Sequence, residues 1–324
     1  MIMDMKSKVF IVCLLFLVFN SFFVFAQVKF RFSDGIYDQA RKKQVENNVS
    51  ALLTEINRAD SGNRTLNLAK IKMSKEASER LSMLWQYMPF RCEWENNVQS
   101  CVQDFTGYEI RQIPVVLKPL DDKYKGELHK ELTVSFNKQG IITGVRTSID
   151  NNSYLALLSG GKANLDVRMR REILKYLEDY RSYYTEKNLE AIEKLLDRRS
   201  LDITKSLNEN GDTAVSKHLR VDKNWENDKQ KILSNLNKLF QQSRGVEARI
   251  SDMELQRHGA NPFWYAVWFR LQLFQGDEEL HNSTDGYYFL LWDFTEESNP
   301  VIHSCLLFFK KKDLAVEDFF IPHY

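Results

Sequence analysis

The chain has little of what usually announces chemistry. It holds six histidines in 324 residues, and no two of them stand at ligand spacing on one helix. That argues against a metal site built from a helical histidine pair. There is no glycine-rich phosphate loop and no Gly-x-Ser-x-Gly elbow, so neither a nucleotide cradle nor a hydrolase nucleophile of that type is expected. No cofactor is implied. No sustained basic run exists; Lys310-Lys311-Lys312 is a run of three and reads as a solvated strand end or turn. Nucleic-acid binding needs a basic face that displaces counterions, so that partner class is excluded as an expectation.

Long apolar runs are also absent, except at the start. Lys6 and Lys8 form a short basic region, and Val9 to Phe25 carries no charge. Val24-Phe25-Ala26 then offers small or modest side chains where a signal peptidase reads. This is the pattern of a secretory signal peptide over residues 1–26. The competing reading is a retained anchor, for which the run is at the short end of the roughly 17–25 residues needed to span. Cys13 lies inside the apolar run and the residue directly after the cut is Gln27, not cysteine, so a lipoprotein is not expected. The remaining chain is expected to begin near Gln27, to cross no membrane, and to be exported to the periplasm or cell envelope. Lys6, Lys8 and Asp4 leave with the signal, so the rest carries no net formal charge. Its length, roughly 300 residues, suggests two domains.

Three cysteines remain. Cys92 and Cys101 flank a polar segment, Glu93 to Ser100, and a turn there would let them form a disulfide. Cys305 alternates with apolar neighbours and reads as a buried free thiol. His303 lies two residues away on the same strand face, an adjacency too common to mark a nucleophile.

Periodicity divides the chain. Val45, Val49, Leu52, Leu53 and Ile56 share one face of a helix within 36–59. Ala77, Leu81, Leu84, Trp85 and Met88 form a second stripe, with Ser74 as its cap. Strands follow at 108–117, around Leu132, Val134 and Phe136, and at 141–149, with Asn137 to Gly140 as a turn. This is an α+β unit over 27–150. Asn151 to Asn164, with Ser159-Gly160-Gly161, reads as a linker. Helices then return: Met169, Ile173, Tyr176, Leu177, Tyr180 and Tyr184 line one, Leu189 to Leu196 a second, and Trp225 to Phe240 a third. The stretch from Phe263 to Phe274 is apolar on both faces and must be a central strand covered by helices. Tyr287 to Phe294, Val301 to Phe309 and Ala315 to Ile321 read as further strands.

Three helices followed by a long antiparallel sheet resemble the nuclear transport factor 2-like superfamily, the ketosteroid-isomerase-like cone. The residues that carry the resemblance are Arg170 to Tyr180, Lys187 to Leu196, and Gly286 to Phe294, the last similar to exported bacterial members. It covers about 165–324. Leu132 to Val145 is similar to the late hairpin of such a domain, which implies two tandem units. The resemblance implies a cone with a pocket at its open end, lined here by Tyr180, Tyr184, Trp264, Trp268, Tyr288 and Trp292, and suited to a small apolar ligand. It also implies a sheet face that makes homodimers or meets an envelope protein. Catalytic members place a carboxylate base after the second helix. That position falls near Thr204 here, and Arg198 and Arg199 stand where two acids are common. Asp202, His258 and Asp293 are the remaining polar candidates, each as readily explained by a turn or a satisfied core group. The expected function is noncatalytic binding or assembly, with a small-molecule-processing enzyme (isomerase, dehydratase or cyclase type) as the alternative.

Overall fold

The computed structural model describes residues 27–103, 107–120, 127–161, 163–196, 203–207, 215–219, 225–275, 278–280, 286–296, 300–308 and 319–320. The signal-like segment, Asp202 and the stretch 309–318 lie outside the described residues.

The fold is α+β, with curved, partly antiparallel sheets packed against helices. The chain opens with β1 (Lys29–Asp34), whose Phe30 and Phe32 point inward while their neighbours face solvent. Helix α1 (Gln39–Ser61) starts where Asp38 accepts hydrogen bonds from the Ala40 and Arg41 backbone N–H groups. Helix α2 (Lys75–Tyr87) is capped as expected by Ser74, whose hydroxyl accepts from the Ala77 N–H. Such caps satisfy backbone donors that the first turn leaves free. Then come β2 (Phe90–Arg91), β3 (Glu95–Gln103), β4 (Gly107–Leu117), β5 (His129–Asn137) and β6 (Ile142–Thr147). The sheet order is β1-β3-β4-β5-β6, and β2 also pairs with β4. Only the β1–β3 pairing in this sheet is parallel.

A bulge in β4 decides which side chains face the first core. Ile110 pairs with Val134 and Ile113 with Leu132, so Arg111 and Gln112 together oppose Thr133. Gln112 takes a φ of +61° to make room. The extra residue flips the alternation. Ile110, Ile113, Val115 and Leu117 therefore all join the core under α1 and α2. Glu109 and Arg111 are left on the other face.

The second half begins earlier than the sequence suggests. Residues 151–159, read as linker, form helix α3 (Asn151–Ser159), with Asp150 as its cap and Gly160 at its end. The polar and glycine residues there punctuate a short helix, and Tyr154 is buried in the second core. Next are α4 (Asn164–Thr185), α5 (Leu189–Leu196), β7 (Ile203–Leu207), β8 (Val215–Leu219) and α6 (Trp225–Gln242). The second large sheet contains β9 (Glu247–Arg257), β10 (Trp264–Gln275), β11 (Glu278–Leu280), β12 (Gly286–Asp293) and β13 (Val301–Phe308). Its order is β11-β10-β12-β13, with β9 on β10. β14 (Phe319–Phe320) pairs with β7, and β7 with β8, in a separate small sheet. Two apolar cores result, one drawn from Val28 to Val145 and one from Ile149 to Ile302.

β10 is buried on both faces, as its sequence requires. Tyr265, Val267, Phe269, Leu271 and Leu273 belong to the second core with the helices. Trp264, Ala266 and Trp268 face the other way and are also buried. Among the described residues, no helix is long and apolar enough to cross a membrane.

Candidate functional site

The inner face of the second sheet meets α4 through aromatic rings. Tyr180 stands at the centre. Its ring lies 6.4 Å from Tyr176, 5.4 Å from Tyr184, 5.9 Å from Phe269 and 5.9 Å from Tyr288, centroid to centroid. Phe269 and Tyr288, paired across β10 and β12, stack at 5.1 Å. Trp292 meets Tyr176 edge-on at 4.9 Å and stacks on Phe294 at 5.5 Å. These are the separations at which aromatic pairs attract. The Tyr180 and Tyr184 hydroxyls lie 3.1 Å apart. The Trp292 indole N–H is buried and has no hydrogen-bond acceptor among the described residues.

The six residues expected to line one pocket are thus divided. Tyr180, Tyr184, Tyr288 and Trp292 gather on the helix side. Trp264 and Trp268 point to the opposite face, where Trp264 meets His258 and Trp268 meets Phe289. The reason is the two-residue period of a strand: even-numbered residues of β10 cannot share a cavity with Tyr265 and Phe269.

The polar candidates do local structural work. His258 is buried, and its Nδ1 accepts from the Ala260 N–H at 3.1 Å and the Asn261 N–H at 2.9 Å. It organises the turn between β9 and β10. Asp293 ends β12 and accepts from the Thr295 N–H at 2.7 Å and from the Thr295 hydroxyl. The two are not brought together around a common point by these contacts. Asp202 lies outside the described residues, as does any placement of the His303 and Cys305 side chains. Deeper in the core, the Tyr265 hydroxyl donates to Asp166 Oδ1 at 2.8 Å, and Asp166 also holds Arg170 Nε at 3.0 Å. Burial, then the bond to Asp166, pushes the Tyr265 phenol above its ordinary range.

Cys92 and Cys101 do not form the expected disulfide. The polar stretch between them is not a turn but most of β3. Arg91 faces Val116 on β4, whereas Cys101 faces Ile110 on the same strand. The two cysteines therefore sit about five strand residues apart along β4, roughly 16 Å at the usual rise. A disulfide needs Cα atoms within about 7 Å. Cys92 is buried with its Sγ 3.5 Å from Asn57 Oδ1, and burial pushes the thiol up to about 12.

The most heavily charged buried site is one that sequence patterning missed. The second face of the first sheet carries Glu109, Arg111, Thr133, Ser135 and Arg146, all buried. Glu178 of α4 enters this face. Its Oε1 accepts from Arg111 Nη2 at 2.6 Å and the Ile149 N–H at 2.8 Å. Its Oε2 accepts from Arg111 Nη1 at 3.0 Å and Arg146 Nε at 2.9 Å. Glu109 bridges the same two arginines from the other side. Arg146 Nη1 donates to the Ser135 hydroxyl at 2.7 Å, and the Arg111 guanidinium lies 3.7 Å over the Tyr154 ring. Burial alone would raise the Glu109 carboxyl, but Arg146 and then Arg111 outweigh it and hold it at about 2. A second ionic group extends the contact: Arg80 of α2 donates to Asp179 at 3.0 Å and to both oxygens of Glu186 at 3.1 Å. Alternating Thr133 and Ser135 signal a polar strand face; nothing in the linear pattern says that a helix covers it.

The described surface also has a half-open groove of about 580 Å³ beside Trp85, Leu66 and Leu120. None of the sequence-predicted residues lines it, and its cations are engaged, Arg64 with Glu55 and Lys118 with Asp60. Among the described residues, no group of three His, Cys, Asp or Glu is placed to hold a metal. Compared with protein-family models, curated proteins and solved structures, the chain matches none.

Proposed function

We propose that the chain is an exported, noncatalytic binding or assembly protein of the periplasm or cell envelope. In this reading, residues 165–324 are a nuclear transport factor 2-like cone and the first half is a diverged tandem unit. The observation that carries it is the Tyr180 ring, in contact with Tyr176, Tyr184, Phe269 and Tyr288. Where a catalytic member of that group needs an open cone with a carboxylate base, this interior is occupied by its own rings. The polar side chains nearest to being candidates, His258 and Asp293, each hold a local turn, His258 through Nδ1 and Asp293 through Oδ1. An enzyme site needs polar groups that converge on an apolar pocket.

The rival reading is a small-molecule-processing enzyme. Its support is the adjacent Tyr180 and Tyr184 hydroxyls and the unpartnered Trp292 indole N–H. Native mass spectrometry of protein purified from its own cell envelope separates the two. A ligand-free homodimer, or a complex with an envelope protein, is the expected result. A small apolar molecule that copurifies at one per chain would make the cone a ligand site and overturn the assembly reading.

A further inference from the structure

The contact between Glu178 and the first sheet has the form of a receptor and its ligand. A carboxylate offers about four acceptor positions. Glu178 fills four, with Arg111 Nη1 and Nη2, Arg146 Nε and the Ile149 N–H. Every one of these donors lies outside α4, on β4, on β6 or just after it. The donors are also held in place by groups other than Glu178. Glu109 grips both arginines, Ser135 fixes Arg146, and the Tyr154 ring backs Arg111. Positions held by such supporting contacts are preorganised for their ligand.

We propose that this face of the first sheet is a carboxylate-binding site, built from Arg111, Arg146 and the Ile149 N–H, which Glu178 occupies in cis. The ligand class follows from charge and shape. Arg111 and Arg146 outweigh the one Glu109 carboxylate, and Arg181, which donates to the Thr147 and Ser148 carbonyls beside Ile149, adds to the attraction for an anion. The planar, side-by-side donors of Arg111 suit a carboxylate. A tetrahedral oxyanion such as sulfate does not match donors set around a planar group. Truncating Glu178 to alanine removes two carbons and two oxygens, the heavy atoms of acetate, so acetate is the probe.

The test uses the full chain carrying Glu178→Ala. In chloride its Tm falls by roughly 10 °C, as breaking a buried charge pair in a chain of this size implies. Replacing chloride by acetate at equal ionic strength raises the variant's Tm with saturating concentration dependence. The parent chain, whose site is filled, and the double variant Glu178→Ala/Arg146→Ala gain nothing beyond the solvent effect they share. Sulfate does not reproduce the gain. If the variant does not fold in chloride, its refolding yield in acetate against chloride is read instead, and a rise is expected. The proposal is overturned if acetate does no more than chloride in either assay, or if it raises all three chains equally.

Discussion

Arg146 Nε donates to Glu178 across 2.9 Å, and this bond joins the last strand of the first core to the long helix of the second. The pair is buried on both sides. Taking charge out of water is costly, and only full pairing makes such a site tolerable.

Replacing Arg146 by alanine leaves two buried carboxylates, Glu109 and Glu178, to share the single guanidinium of Arg111. The expected loss is about 3–5 kcal/mol, read from urea unfolding of the variant beside the parent. A loss within a few tenths of a kcal/mol would mean that the quartet adds nothing to the junction.

Acid should weaken the same junction. The Glu109 carboxyl sits at about 2 when folded against an ordinary 4.5. A depressed folded value gives stability that is present above the ordinary value and lost as pH falls through the folded one. Glu186 works in the opposite sense, because burial raises it despite Arg80. The comparison that isolates Glu109 is the parent against Glu109→Gln, by urea midpoint between pH 6 and pH 2. The gap should be widest near pH 6 and shrink toward pH 2. A gap that stays constant across this range contradicts the assignment.

Tyr265→Phe removes one hydroxyl and leaves Asp166 with Arg170. A hydrogen bond to a buried charged group contributes about 1.5–3 kcal/mol. Chemical denaturation should show a destabilisation of that order with no change in far-ultraviolet circular dichroism. An unchanged midpoint would show that Asp166 is satisfied without it.

The bulge at Gln112 makes a backbone prediction. At φ +61° a β-branched side chain is strained, whereas glycine is not. Gln112→Val should cost at least about 1 kcal/mol, while Gln112→Gly should stay close to the parent. The two thermal midpoints decide it, and equal values for valine and glycine would remove the claim that the left-handed residue sets the parity of β4.

Cys92 should be silent in the native chain. Its thiol is buried and pushed up to about 12, far from the thiolate that alkylates. Iodoacetamide at pH 8 followed by peptide mass analysis should label it only after unfolding. Rapid native labelling, or a Cys92–Cys101 crosslink recovered from untreated protein, would contradict the placement of these residues on β4's edge.

Much of this architecture was legible in advance because periodicity reports local burial. The stripes of α1, α2 and α4, the Ser74 cap and the two apolar faces of β10 all follow from spacing. The segment Glu95 to Ser100 was not legible. It is polar, with Val98 its one buried aliphatic side chain, and it becomes a strand because β1 pairs along it, while β4 pairs with β3 only from Cys101 onward. The helix at 151–159 was not legible for a related reason: residues that cap a short helix also compose loops. Among the candidate site residues, Tyr180, Tyr184, Tyr288 and Trp292 could be grouped by pattern, yet Trp264 and Trp268 had to be separated by strand parity.

By itself the sequence determined where helices and strands would bury apolar faces, since that depends on neighbours three, four or two residues away. Only the tertiary structure decided that Glu178, beside the apolar stripe of α4, meets Arg111 and Arg146 from strands 67 and 32 residues distant in sequence. A charged residue looks solvated in a linear pattern. Its partner is fixed by which sheet face the helix covers, and that is a property of the assembled chain.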